Sequence, residues 1–169
     1  ACTGRVVPAA DLAALVDGVT ARGVLAGTDA LLSGYLGAGE QAAVVAHAAN
    51  SLRAANPRAL VIADPVMGDT DPGLYVGREV ADALAQEVVP LADVVTPNAF
   101  ELGLLTRRPV ENRDDALAAA RALCATGPGL VIVTSIPEGT DSLGLLAVTK
   151  TRAWALSVPR LNFPVAPNG

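Results

Sequence analysis

Four short β-rich runs, each closed by a polar strand end and followed by a helical stretch, limit most strongly the folds open to this chain. The runs cover residues 30–32, 60–63, 93–96 and 130–134, and each is bounded by glycine, proline or polar residues as buried strands are. Apolar spacing predicts helices over 11–21, 40–55, 78–88 and 112–126. Asn56-Pro57 stops the second helix, and Gly127-Pro128-Gly129 stops the fourth, because the residue before proline leaves the helical region and glycine accepts the terminal backbone turn. Strands and helices alternating at these lengths imply βαβ units, hence an α/β fold with a mostly parallel central sheet flanked by helices on both faces. Residues 143–149 and 152–158, joined at Lys150-Thr151, read as a β-hairpin.

The 169 residues suit one domain. Its 33 alanines against five aromatics mean that stability has to come from close packing of small side chains. The mean hydropathy of +0.43 is high, but no apolar run approaches the roughly 18–20 residues that a spanning helix needs. The 12 basic residues are scattered and outnumbered by 17 acidic ones, which is not a nucleic-acid footprint. Cys2 and Cys124 have neither CxxC nor Cys/His spacing, which fits a reducing compartment. The expectation is a cytoplasmic protein with no nucleic-acid or membrane partner.

Open α/β sheets bind ligands at the carboxyl ends of their strands. Here those ends carry Ser33-Gly34-Tyr35, then Asp64, then Thr96-Pro97-Asn98 with Glu101, then Thr134-Ser135. Asp64 opens Asp-Pro-Val-Met-Gly-Asp, which reads either as a plain turn or as a carboxylate placed for Mg²⁺. The following residues 69–75 form a long reach that can act as a lid. Asn98 and Glu101 have capping-box spacing, which needs no ligand. The same helix start can also receive phosphate, and Glu101 could join Asp64 around one hard cation.

Gly37-Ala38-Gly39-Glu40-Gln41-Ala42 reads GxGxxA before a helix, with Asp64 at the next strand end. A dinucleotide-binding oxidoreductase is therefore an alternative. Residues 33–36 weaken it by separating the strand from the first glycine. His47 reads as a packed or solvated ring, Cys124 as a buried thiol and Arg107-Arg108 as a solvated helix end. No GxxxxGK is present, and the only lysine is Lys150, so a P-loop is excluded.

LLSGYLG, VIADPVMGD, GLYV, VVPLADVVTPNAFELGLLT and VIVTS together resemble, in this order, the pyridoxal kinases of the ribokinase-like superfamily. Asp-Pro-Val-Met-Gly with Thr-Pro-Asn-x-x-Glu also resembles the hydroxymethylpyrimidine phosphate kinases, which remain the alternative within the superfamily. The resemblance implies ATP-dependent phosphorylation of the 5′-hydroxyl of pyridoxal, with pyridoxamine and pyridoxine as further acceptors, and Mg²⁺ as cofactor. It implies that Asp64, Thr96, Asn98, Glu101, Thr134, Ser135 and Arg160 face the nucleotide, and that Asp64 and Glu101 face the metal. Asp69 and Tyr75 would belong to the lid, and Tyr35 would pack beside the pyridine ring. Gly169 resembles the first glycine of a Gly-x-Gly-Asp anion hole, whose aspartate, the general base, would lie just beyond it. The family's first strand would precede Ala1. On that reading the 169 residues are the middle of a single kinase domain that forms a homodimer at full length. Alone they would be inactive, and a purely interacting or decoy domain is the third alternative. Arg107 stands where the family commonly has glycine, a departure expected to be harmless.

Overall fold

A computed structural model describes residues 4–161. Helix α1 (Ala9–Ala21) leads through a 3₁₀ turn (Val24–Gly27) to β1 (Ala30–Ser33), α2 (Gln41–Ala55) and β2 (Leu60–Ala63). The two-residue strands β3 (Gly68–Asp69) and β4 (Gly73–Leu74) follow, then α3 (Arg78–Ala83), which runs into a π-helical turn (Leu84–Val88). The chain continues with β5 (Val94–Val95), α4 (Ala99–Thr106), α5 (Arg113–Cys124), β6 (Leu130–Glu138), β7 (Ser142–Val148) and β8 (Ala153–Pro159).

The main sheet has the order β1-β2-β5-β6-β7-β8, with the first four strands parallel and the last two antiparallel additions. This is the mostly parallel α/β sheet that the alternation predicts. Burial alternates along the strands. Val61, Ala63, Val95, Val131 and Val133 are buried, whereas Leu60, Ile62 and Ile132 retain more exposure. Helix α5 presents Ala116, Ala119, Ala120, Leu123 and Cys124 to this core, an i, i+3, i+4, i+7, i+8 stripe whose small residues allow close approach to the sheet.

At the amino ends of the strands, Arg53 Nη2 donates to the Leu91 carbonyl (2.6 Å) and to Asp93 Oδ2 (3.1 Å). Asp93 Oδ2 also accepts the Val61 amide at 2.8 Å. That tie fixes where β2 and β5 begin and leaves their carboxyl ends level. Strand β5 is shorter than the predicted 93–96, although the amides of Asp93 and Thr96 still bond β2 at Val61 and Ala63.

Three further differences from the sequence reading are local. Strand β6 runs past residue 134 because β7 continues to pair with it, after a register shift between Val133 and Ile136. Helix 78–88 is α-helical only to Ala83 before it widens. Residues 69–75, read as a loop, hold most of a small antiparallel hairpin, Gly68 opposite Leu74 and Asp69 opposite Gly73.

Candidate functional site

Hydrogen bonds carry the parallel pairing one or two residues past the strands, and this sets four strand ends side by side along one edge of the sheet, where an open α/β sheet forms its crevice. The Asp64 amide donates to the Ser33 carbonyl (2.8 Å), the Thr96 amide to Ala63 (3.0 Å) and the Thr134 amide to Pro97 (3.0 Å). Asn98 lies beside Thr134 in a parallel bridge. Thr96 Oγ1 donates to Asp64 Oδ1 at 3.0 Å, which orients the carboxylate and leaves Oδ2 without a partner among the described residues.

Helix α4 begins at this crevice. The Asn98 side chain accepts the Glu101 amide (2.8 Å), and Glu101 Oε2 accepts the Asn98 amide (2.9 Å), so the predicted capping box is present. The next two amides, of Ala99 and Phe100, have no acceptor within the helix and are available to an anion.

Glu101 is 4% exposed, and its Oε1 accepts the Met67 amide at 2.9 Å, with Gly68 at a longer 3.5 Å. Burial pushes its carboxyl above the ordinary range. The amides of Met67, Asn98 and Gly68 hold it down, and the charge of Asp64 raises it further. The Asp64 charge is thus felt at Glu101, whose oxygens are engaged by backbone.

The hairpin β3–β4 stands over this point. The Tyr75 amide donates to the Met67 carbonyl at 3.1 Å. Gly73 turns the tip at φ +93°, a left-handed value that glycine takes without cost. Asp69 is exposed, and its Oδ1 accepts the Thr70 amide. The half-exposed Tyr75 phenol is raised chiefly by burial, then by the negative charges of Glu101, Asp69 and Asp64. The hairpin's Tyr75 and Asp69 and the strand-end acids therefore share one electrostatic field.

Tyr35 is exposed beside a cavity of about 480 Å³ that is also lined by Arg5, Val7, Gly37 and Gln41. Gln41 was not singled out from the sequence. It accepts the Gly37 amide (2.9 Å) and donates to the Val7 carbonyl (2.8 Å), holding the 4–8 segment against the start of α2. The signal in the sequence is a glutamine opening a helix whose next residues are alanine and valine. The same bond occupies the Gly37 amide, and a Cβ on Gly37 would meet Val6 at 2.9 Å. Gly37 thus serves chain packing, which counts against the dinucleotide alternative.

Ser135 sits at the register shift of β6 with φ +56°, a strained value for serine. Arg160 follows β8, and its amide donates to the Asp141 carbonyl. The β7–β8 register puts it at the carboxyl end of the sheet, farther out than Thr134. Gly169 and Cys2 lie outside the described residues. His47 is exposed and pairs with Asp17 at 3.1 Å. Cys124 is buried, and its thiol is raised chiefly by that burial. Among the described residues, no group of three or more His, Cys, Asp and Glu side chains is arranged around a metal site. No helix there is long and apolar enough to cross a membrane.

The family model described as phosphomethylpyrimidine kinase matches residues 23–163. The chain belongs to the phosphomethylpyrimidine kinase family. This family member is 43% identical over 176 residues to the pyridoxal kinase PdxY of Deinococcus radiodurans, covering 100% of this chain and 59% of the relative. The crystal structure of pyridoxal kinase from Entamoeba histolytica matches with a TM-score of 0.87 at 26% identity, over 96% of this chain and 59% of that one. Pyridoxal kinase from Leishmania donovani, solved with ADP and pyridoxamine, matches with a TM-score of 0.87 at 27% identity, over 94% and 56%. The resemblance to pyridoxal kinases and the ribokinase-like α/β fold expected from the motifs both hold. The chain spans about 59% of the length of the curated relatives it matches.

Proposed function

We propose that the complete protein is an ATP-dependent pyridoxal kinase, which phosphorylates the 5′-hydroxyl of pyridoxal to salvage pyridoxal 5′-phosphate. The observation that carries this reading is the oriented Asp64 carboxylate, held by Thr96 beside the open amides of α4 and beneath a hairpin lid. Similarity to the pyridoxal kinase of Deinococcus radiodurans, and to a Leishmania donovani pyridoxal kinase that holds ADP and pyridoxamine, supports the same assignment.

Phosphoryl transfer needs positioning and charge neutralisation more than covalent help from the protein. Asp64 offers Mg²⁺ one open, hard carboxylate oxygen, so the donor set fits a cation held by one acid, phosphate oxygens and water. Bound there, Mg²⁺ would supply the positive charge that screens the transferring phosphates. Glu101 fits a water-mediated place best, because each of its oxygens already accepts a backbone amide. Thr96 keeps Asp64 oriented, and the amides of Ala99 and Phe100 receive phosphate oxygen. Thr134 and Ser135 line the nucleotide, with Arg160 along its outer edge. Tyr35 packs beside the pyridine ring, while Asp69 and Tyr75 cover the reacting groups and exclude water.

A homodimer and a cytoplasmic location belong to the same proposal. Sedimentation and cell fractionation of the complete gene product check them. A coupled ATP-consumption assay tests the activity: pyridoxal-dependent turnover is expected. Turnover on hydroxymethylpyrimidine with none on pyridoxal would transfer the assignment to the sister kinase. Tight NAD(P) binding with none of ATP would overturn it.

A further inference from the structure

A capping box asks one carboxylate oxygen of its glutamate, and solvent-exposed acids fill that role. Glu101 is buried instead, and its second oxygen reaches Met67 and Gly68, 34 and 33 residues away in sequence. Asn98 divides its side chain in the same manner. Its oxygen caps the helix, and its Nδ2 donates to the Gly68 carbonyl at 2.8 Å. Gly68 is therefore held at both its carbonyl and its amide. A Cβ there would lie 2.5 Å from the Gly73 carbonyl oxygen and 2.7 Å from Phe100 Cε1, so no slack separates the hairpin root from the first turn of α4. Met67 is buried, and its carbonyl closes the hairpin with Tyr75.

We propose that Glu101 and Asn98 form a latch that fixes the root of the lid to the start of α4, and that Glu101 is a positioning residue rather than a direct ligand of the metal. Lid movement then begins at Asp69, while the root and the phosphate-facing turn of α4 shift as one body. Both Glu101 oxygens already accept backbone amides, so a cation bound directly would have to share an oxygen with Met67 or with the cap and pull against a buried hydrogen bond. The latch also gives nucleotide a route to the lid: any displacement of residues 98–100 is felt at Gly68 through two side chains. The catalytic consequence rests on the kinase reading; the latch itself does not.

The test uses Glu101→Gln in the complete gene product. The Gln oxygen can still meet Met67, but its amide nitrogen then faces the Asn98 amide, donor against donor. Expected results are exchange at the Met67 and Gly68 amides at least tenfold faster by NMR, and a Mg²⁺ half-saturation that rises by less than tenfold, since Glu101 would reach the cation only through water. Turnover should fall about tenfold, with KM for ATP nearly unchanged. Exchange at both amides within twofold of wild type would overturn the latch. A tenfold rise in Mg²⁺ half-saturation would overturn the assignment of Glu101 as a non-ligand, whatever the exchange shows. Should the Gln variant not fold, Asn98→Asp keeps the cap acceptor but replaces the donor to Gly68 with an oxygen that faces its carbonyl, acceptor against acceptor. Exchange at Gly68 should then rise about fivefold, and unchanged exchange overturns the latch. Exchange needs no turnover, so the result stands or falls separately from pyridoxal phosphorylation.

Discussion

Helices α4 and α5 are both begun by an asparagine, Asn98 and Asn112, whose side-chain oxygen accepts the amide three residues on, at 2.8 and 3.0 Å. At α5 the rest of the bonding capacity folds back on itself. Asp115 accepts the Asn112 side chain and the Glu111 amide, all on an exposed surface. At α4 the spare donor and acceptor cross to Gly68 and Met67 instead. The helices also differ in what else holds them. Helix α5 has a stripe of buried alanines, whereas α4 is only eight residues long. The same asparagine cap thus gains long-range bonds only where the spare valences around it meet a second segment.

Removing the two caps gives the largest contrast. Asn98→Ala should cost about 3 kcal/mol, adding a lost cap to an unpaired Gly68 carbonyl. Asn112→Ala should cost about 1 kcal/mol. Urea unfolding measures both, and equal losses would break the comparison.

The opposite ends of the helices give a smaller, reversed effect. Helix α4 stops on Arg107 at φ +53°, while α5 stops on Ala125 in the ordinary helical region. The sequence reading takes the arginine as a harmless departure from glycine, but its left-handed backbone carries strain. Arg107→Gly should stabilise by about 0.5–1 kcal/mol, and Ala125→Gly should not. A loss in both variants would show that Arg107 is held by more than its backbone.

The third contrast is in sign. Burial raises the Glu101 carboxyl above its ordinary value near 4.5. The folded state therefore keeps that proton longer, and stability falls as pH rises from there through the folded pKa. Glu138 meets Arg113 in the first turn of α5. Hydrogen bonds from Ser157 and then Arg113 lower its carboxyl. Its contribution is present above the unfolded value and lost as pH falls through the lowered one. Unfolding of Glu101→Gln and Glu138→Gln between pH 3 and 7 should remove slopes of opposite sign; slopes of one sign would refute the pairing.

What could be read in the sequence follows from the range of the forces involved. Strand–helix alternation was legible because burial imposes its period on consecutive residues. The Asn98–Glu101 cap was legible because its partners are three apart. The grip of Glu101 on Met67 spans 34 residues, and no local pattern marks it. Strands β3 and β4, two residues each, are too short to show alternation. The left-handed Ser135 depends on where β7 resumes its pairing, and the π-helical turn at Leu84–Val88 leaves the apolar spacing almost unchanged. Gln41 was passed over because it fell inside a glycine motif with a more familiar meaning.

Crowding at Gly68 divides the hairpin into a portion open to drift and a portion closed to it. Even a methyl group at 68 would force the Gly73 carbonyl and the Phe100 ring apart. Thr70, Asp71 and Pro72, by contrast, are exposed and lie outside the β3–β4 ladder. A tip of other length or charge could be grafted between Asp69 and Gly73 without touching its foundation. Variety among descendants of this protein should collect in those three residues, and a designer seeking a different acceptor should begin there.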